Sequence, residues 1–171
     1  MGLQLANVTR DRKDLFNALA KAYTEIYTPA FPDDNERESL EKMHRVLNGE
    51  TPGVDIIINV AGENLTSADP IVKGIGVAYY YHPQNVGLLA YNAVSPESKG
   101  EGIGKTLVHS RIESLKQMAA SKHSKLRAVF VDCNNPNKVD AQHDSMDPTT
   151  RIKVFTSWGA REIPLNYSHS K

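Results

Sequence analysis

Hydrophobic and polar positions along the chain change period several times, and each change predicts the border of a secondary-structure element. The stretch Leu3–Val8 predicts a short edge strand. Hydrophobic residues then recur at helical spacing between positions 15 and 27 and between positions 40 and 47, so two helices are expected. The first should end at Thr28–Pro32, because proline disfavours further helix. The second should carry the acids of Asp33–Glu38 in its first turns, where they complement the helix dipole.

The rest of the chain alternates β-rich and helical segments. The order β-α-α-β-β-β-α-β-α-β predicts an α/β fold (α+β, one mixed sheet) in a single domain, residues 1–171. Its strands should be antiparallel at first and parallel around the strand–helix–strand crossover. The remaining predicted elements are the strands Val54–Ala61, Val72–Tyr81, Val86–Val94 and Leu126–Val131, the helices Gly102–Ala120 and Pro148–Trp158, and a last extended segment, Arg161–Tyr167.

Composition narrows the class of protein. The 171 residues are 40% hydrophobic, which is enough for one buried core. Basic and acidic residues balance at 20 each, so no positive excess favours nucleic acid as a partner. No apolar run reaches the roughly 20 residues of a membrane span. With one cysteine, Cys133, and no signal-peptide pattern, we expect a cytoplasmic protein. Histidines without metal-ligand spacing predict no metal site.

The chemistry concentrates in Ser95–Thr106, which we call the glycine loop. A buried strand enters this segment, and the longest predicted helix begins inside it. Free backbone N–H groups and the positive end of the helix dipole would converge there, which predicts an anion site suited to phosphate. The Walker pattern fails because it needs glycine where Lys99 stands, and the dinucleotide pattern fails because it needs glycine where Lys105 stands.

A third pattern fits. Lys99–Gly104, following a strand that ends in Val94, resembles the pyrophosphate loop of the GNAT acyltransferase superfamily, and Leu107–Ala119 is similar to the helix that follows it there. The family order of elements also matches most of the chain, with a central mixed sheet flanked by helices. Two positions depart from the family pattern. Lys99 replaces the usual arginine or glutamine and loses the forked guanidinium. Phe155 stands where a tyrosine often precedes glycine by four residues, which leaves the acid unassigned.

The resemblance implies direct transfer of an acetyl group from acetyl-CoA, as co-substrate, to a primary amine of a small molecule or peptide. The pyrophosphate would lie on the glycine loop, the pantetheine would run along the strand end, and the N–H near Val94 would polarise the thioester carbonyl. Asp132 is a candidate general base, a role that would need burial to raise its pKa, and a turn cap is the alternative. The implied cofactor-binding residues are Asn92, Ala93, Val94, Lys99, Gly100, Glu101, Gly102, Ile103, Gly104 and Lys105, together with Asn134 and Asn135, two adjacent candidates for one contact.

Several alternatives stay open at this stage. A non-catalytic acyl-CoA-binding module is one, motivated by Phe155, and a nucleotide-binding phosphotransferase resting on Gly104-Lys105-Thr106 is another. Two further sets are candidates for an acceptor pocket, although a core role and a dipole role are favoured for them. They are the run Tyr79–His82 and the acids Asp33, Asp34, Glu36, Glu38 and Glu41. The family pairs its last strand with one more. Because Arg161–Tyr167 has no such successor here, we expect either a homodimer through this edge or a cleft open on that side.

Overall fold

Five strands form one mixed sheet in the computed structural model, which describes residues 2–133 and 146–163. The strand order is β1-β2-β3-β4-β5, antiparallel throughout except for the parallel pair β4–β5. The prediction of a mixed sheet, antiparallel first and parallel at the crossover, is confirmed. The strands are β1 (Gln4–Val8), β2 (Val54–Glu63), β3 (Ile71–Tyr81), β4 (Val86–Val94) and β5 (Ala128–Val131).

Helices occupy the predicted segments with shifted borders. The chain divides into two compact units, Met1–Asp132 and Cys133–Lys171, and the sheet belongs to the first. In the second unit, Asp147 caps its helix by accepting a hydrogen bond from the N–H of Thr150 at 2.8 Å. The helices are α1 (Phe16–Ala22), α2 (Thr28–Ala30), α3 (Leu40–Leu47), α4 (Ile103–Ser121) and, in the second unit, α5 (Pro148–Ser157).

The first helix ends inside the predicted segment, at Ala30, one residue beyond the proline. A π-helical turn, Tyr23–Tyr27, joins α1 to α2, and the chain stays helical to Ala30 in spite of Pro29. The N–H of Thr28 donates to the carbonyl of Tyr23, five residues back. Proline is tolerated because it lies in the first turn of α2, where a missing N–H costs little.

The predicted start of the second helix was wrong. Its N-cap is Ser39, whose hydroxyl accepts a hydrogen bond from the N–H of Lys42 at 3.2 Å. A serine side chain satisfies one of the unpaired N–H groups of the first turn, which fixes the start of the helix after the acids. The segment Phe31–Ser39, which we call the acidic loop, therefore precedes α3, and its carboxylates do not lie in a helical turn.

Each face of the sheet is covered. One face packs against α1, the π-helical turn and α3, with Ile58, Ile75 and Val77 of the strands at less than 1% exposure. The other face packs against α4. Where α4 packs on the sheet, the strands contain glycine. A Cβ added at Gly74 would lie only 3.0 Å from side-chain carbons of Ile103 and Leu107, which is too close for an unstrained contact. Small residues thus let the helix approach the sheet closely.

The last predicted strand is not observed where the structure describes it. Residues 161–163 are not in a strand. Residues 164–167 lie outside the described residues, so the strand there, the single-domain boundary and the homodimer through this edge stay predictions. No helix among the described residues is long and apolar enough to cross a membrane.

We predict that Gly62→Ala destabilises the fold strongly. Gly62 lies at an irregularity between β2 and β3, and an added Cβ would overlap the carbonyl oxygen of Ile71, a backbone atom that cannot swing away. Overpacking of this kind costs about 3 kcal/mol. Urea denaturation measures it, with Gly2→Ala as control because nothing lies within 4 Å of its added Cβ. Equal midpoints for the two variants would contradict the prediction.

Candidate active site

Strand β4 extends beyond its parallel neighbour. The pairing with β5 covers only Val86–Leu89, matched with Ala128–Val131. The next five residues, Ala90–Val94, which we call the β4 extension, have no partner on that side within the described part of the chain, and Tyr91–Val94 pair with β3 on the other side. An unpaired strand edge presents backbone N–H and C=O groups to a ligand that can lie along it. The β4 extension is such an edge, and it leads directly into the glycine loop.

A β-bulge separates the two halves of β4. Along the pair with β3, Val77 is opposite Tyr91 but Ala78 is opposite Leu89, so Ala90 is the extra residue. An extra residue inverts the facing of every side chain that follows it. Ala90 and Tyr91 accordingly both contact the core under α1 and α3, and Asn92 turns to the α4 face, where its amide Nδ2 donates to the carbonyl of Gly104 at 3.3 Å.

The glycine loop has the predicted strand–turn–helix geometry. After a short 3-10 turn, Pro96–Ser98, the backbone passes through Gly100 and Gly102, whose φ angles are +90° and +78°. This left-handed conformation favours glycine, and nothing lies within 4 Å of the space that a Cβ would occupy at either residue. Gly102 is the N-cap of α4 and makes no side-chain capping bond. The first turn of α4 contains no acid, and the nearest acid in the sequence, Glu101, lies outside the helix just before the N-cap.

The structure brings most of the predicted cofactor-binding residues together. Lys99 and Lys105 are exposed at the two ends of the turn, and Glu101 is exposed between the two left-handed glycines. Ile103 is buried under the sheet and serves packing. The rest of the predicted set continues from the strand edge into the helix: Asn92, Ala93 and Val94 in the β4 extension, then Gly100, Gly102 and Gly104.

The predicted catalytic residues are less well supported. Asp132 follows the last residue of β5, beside the point where β4 and β5 cease to pair, but its side chain is exposed. Burial, on which the base role depended, is therefore not observed, and that role stays a prediction. Asn134 and Asn135 lie outside the described residues. Phe155 lies in α5, with its ring 5.5 Å from that of Trp158. The described residues contain no group of three metal-ligating side chains.

Sequence analysis missed Arg111. The hydrophobic pattern of α4 assigns Ile103, Leu107, Ile112, Leu115 and Ala119 to its buried face. In the structure Arg111 is fully buried, and Ile112 is only half-buried. A signal was present, because positions 103, 107, 115 and 119 follow a spacing of four that only position 111 completes. Because arginine is charged, the hydrophobic pattern assigns position 111 to the exposed face of the helix.

Tyr27, Phe31 and Tyr91 form an aromatic cluster on the face of β4 that is opposite α4. The ring of Tyr91 lies 5.0 Å from that of Tyr27 and 5.1 Å from that of Phe31. The Tyr91 hydroxyl donates to the carbonyl of Glu36 at 2.8 Å, and the Tyr79 hydroxyl donates to Oε2 of Glu38 at 3.1 Å. These bonds hold the acidic loop against the face of β3 and β4 that packs under α1 and α3.

Electrostatics keep these phenols neutral. Burial raises the pKa of Tyr79, and the neighbouring carboxylate of Glu38 raises it further. Burial also raises the pKa of Tyr27 and of Tyr91. All three side chains therefore stay protonated at neutral pH and keep a hydroxyl hydrogen to donate. Glu38 carries the negative charge of the cluster, with its other oxygen 2.7 Å from Nζ of Lys42 and its side chain 20% exposed.

Comparison with known proteins concerns the fold. Neither a protein-family model nor the sequence of a curated protein matches the chain. Solved structures match over 99–100% of its length. The aminoglycoside acetyltransferase meta-AAC0020 from an uncultured soil metagenomic sample, in complex with sisomicin, superposes with a TM-score of 0.64 at 13% identity over 96% of that chain.

A second aminoglycoside acetyltransferase, HMB0005, also from an uncultured soil metagenomic sample, has a TM-score of 0.60 at 20% identity over 99% of its chain. AAC(6')-Iy in complex with the bisubstrate analogue CoA-S-monomethyl-acetylneamine has a TM-score of 0.56 at 17% identity, again over 99%. The chain has the fold of the GNAT acetyltransferases. At these identities the likeness establishes the fold, and the predicted resemblance to that superfamily is confirmed at this level.

We predict that Tyr91→Phe loosens the acidic loop of this GNAT-fold protein. The change removes the hydroxyl that bonds Glu36, at a cost of about 1 kcal/mol in unfolding free energy. Hydrogen exchange of residues 31–39 should accelerate. Tyr80→Phe is the matched control, because its hydroxyl donates to Asn85 at 2.7 Å and makes no contact with the loop. Loop exchange that is the same in both variants would refute the anchoring role.

Proposed function

We propose that this protein is an N-acetyltransferase that transfers the acetyl group of acetyl-CoA to a primary amine in a ternary complex. The single observation that carries the proposal is the continuity of two binding surfaces. The β4 extension offers a strand edge with which no described residue pairs, and it runs directly into the glycine loop at the start of α4. A linear amide-containing arm with a pyrophosphate at one end is complementary to that pair of surfaces.

The residues fit the co-substrate in polarity as well as in order. The N–H groups at the start of α4 meet no acid in the first turn, and Lys99 and Lys105 add positive charge on the exposed side. Open space at Gly100 and Gly102 lets phosphate oxygens approach the backbone. We assign pyrophosphate binding to Lys99–Lys105 and binding of the pantetheine arm to Asn92–Val94.

The chemistry follows from that placement. The acceptor nitrogen attacks the thioester carbonyl carbon, a C–N bond forms, and the C–S bond breaks to leave the CoA thiolate. A backbone N–H of the β4 extension near Val94 stabilises the negative charge that develops on the carbonyl oxygen. The amine loses one proton and the thiolate gains one. Asp132 is the proposed acceptor of the first, or else the proton passes to water.

The acceptor that suits the site is a cationic amine. The acidic loop holds Asp33, Asp34, Glu36 and Glu38 over the aromatic cluster, on the face of β4 opposite α4. Carboxylates beside aromatic rings attract ammonium groups by charge and by cation–π contact. A non-catalytic acyl-CoA-binding module is the second candidate, favoured by Phe155 in place of a phenol. Thiol release from acetyl-CoA in the presence of amines separates the two functions.

We predict that acetyl-CoA raises the melting temperature of the protein and that Gly102→Trp abolishes the rise. An indole at the start of α4 would fill the space assigned to the phosphates. Gly49→Trp is a close control, since Gly49 has a φ of +80° and open space like Gly102, but follows α3. The backbone strain is therefore the same in both. If acetyl-CoA at millimolar concentration does not raise the melting temperature of the wild-type protein, the proposal is refuted.

We predict that Glu38→Gln lowers kcat/KM for a diamine acceptor about 10-fold and leaves KM for acetyl-CoA unchanged. A charge-assisted hydrogen bond is about 1.4 kcal/mol or more stronger than a neutral one, which corresponds to that factor. Glutamine still accepts the hydrogen bond from Tyr79, so the fold is preserved. Glu41→Gln is the control, because Glu41 is an exposed residue of α3. Equal losses in both variants would show general steering instead of a local contact.

A further inference from the structure

Arg111 is a buried cation that has no anionic hydrogen-bond partner among residues 2–133 and 146–163. Its side chain has 0% exposure, and its guanidinium donates to four uncharged oxygens. These are the carbonyls of Leu107 at 3.1 Å, Val77 at 2.8 Å and Tyr91 at 2.6 Å, and the amide Oδ1 of Asn92 at 2.6 Å. Gly76 makes room for it, since an added Cβ there would lie 2.7 Å from Cζ of Arg111.

A buried guanidinium is an unfavourable choice for a contact between a helix and a sheet, because removing its charge from water costs free energy. Burial lowers the pKa of Arg111 to about 9, so the side chain remains charged at neutral pH. An apolar side chain of similar volume would cover Gly76 without the cost of desolvating a charge. The stripe that it interrupts is otherwise apolar, with Leu107 and Leu115 one turn away on either side. The hydrogen bonds, and not the packing, therefore distinguish this residue from its neighbours.

The acceptors of Arg111 coincide with the β-bulge. Val77 and Tyr91 are the last register pair on one side of it, before the extra residue Ala90. A bulge interrupts the ladder, and buried carbonyls beside it need other donors. One nitrogen of Arg111, Nη1, donates to both of these carbonyls, and Nη2 donates to Asn92, whose own amide reaches the carbonyl of Gly104.

We propose that Arg111 is a positioning residue that fixes the bulged register of β4 and links it, through Asn92, to the start of α4. Because the bulge decides which way each residue of the β4 extension faces, Arg111 sets the direction of the N–H and C=O groups along its edge. Given the proposed function, it thereby aligns the thioester arm with the pyrophosphate loop. Arg111 itself touches neither the co-substrate nor the acceptor.

Three variants test this role. Arg111→Met keeps the length of the side chain and removes all donors. Arg111→Lys keeps the charge, but its donors share one nitrogen and cannot serve all the acceptors. Leu115→Ala is the control, because it weakens the same helix face over Gly87 without touching the bulge.

The first readout is independent of catalysis. Amide hydrogen exchange of residues 90–94 should accelerate at least 10-fold in Arg111→Met, less in Arg111→Lys, and no more than the rest of β4 in Leu115→Ala. If Arg111→Met does not fold, Arg111→Lys alone decides. Two outcomes would overturn the proposal. One is wild-type exchange of residues 90–94 in Arg111→Met or, if that variant does not fold, in Arg111→Lys. The other is an acceleration in Leu115→Ala equal to that in the Arg111 variant.

The second readout is the division between kcat and affinity. We expect kcat to fall about 100-fold in Arg111→Met, as for a displacement of about 1 Å at the reacting atoms. The dissociation constant of CoA should rise less than kcat falls, about 10-fold at most, because the pyrophosphate contacts remain while the arm loses part of its ordered strand edge. Partial recovery of kcat is expected in Arg111→Lys. If the wild-type protein neither binds CoA nor turns over, the proposed function fails, and hydrogen exchange still decides the role of Arg111.

Discussion

One additional residue in β4 governs the arrangement of the candidate site. Side chains alternate along a strand, so the insertion of Ala90 inverts the facing of every residue that follows. Tyr91 consequently joins the aromatic cluster under the acidic loop, and Asn92 meets α4. Without the bulge, Tyr91 and Asn92 would exchange faces. The contacts that join the strand to the loop and to the helix all depend on this register.

The close approach of α4 to the sheet is the second condition. Glycines in β3 and β4 leave room for large side chains of the helix, and Arg111 uses the space at Gly76 to reach two strands. The same approach brings the first turn of α4 beside the end of β4. The start of α4, proposed to bind an anion, and a strand edge that is unpaired among the described residues thus become one continuous surface, which neither element would form alone.

Different observations support the fold and the proposed activity. Superposition on acetyltransferases over nearly the whole chain establishes the architecture, at identities of 13–20%. The proposed acetyl transfer rests on the chain's own residues, namely the two left-handed glycines, the acid-free first turn and the unpaired β4 extension. The carboxylates of the acidic loop, which the hydroxyls of Tyr79 and Tyr91 hold in place, add negative charge on the proposed acceptor side.

Local pattern was sufficient for the elements and for the glycine loop. Periodicity located every strand of the described sheet, and the spacing of Gly100, Gly102 and Gly104 before a long helix indicated an anion site, because both depend on residues close in sequence. The start of α3 was misplaced, since the acids and Ser39 both suit a first turn and only the hydroxyl bond to Lys42 selects between them. Arg111 was missed for a different reason. Its role depends on carbonyls of Val77 and Tyr91, which lie 34 and 20 residues away, and on a bulge that leaves no mark in the hydrophobic pattern. Register between distant strands is a tertiary property, and only the assembled sheet decides it.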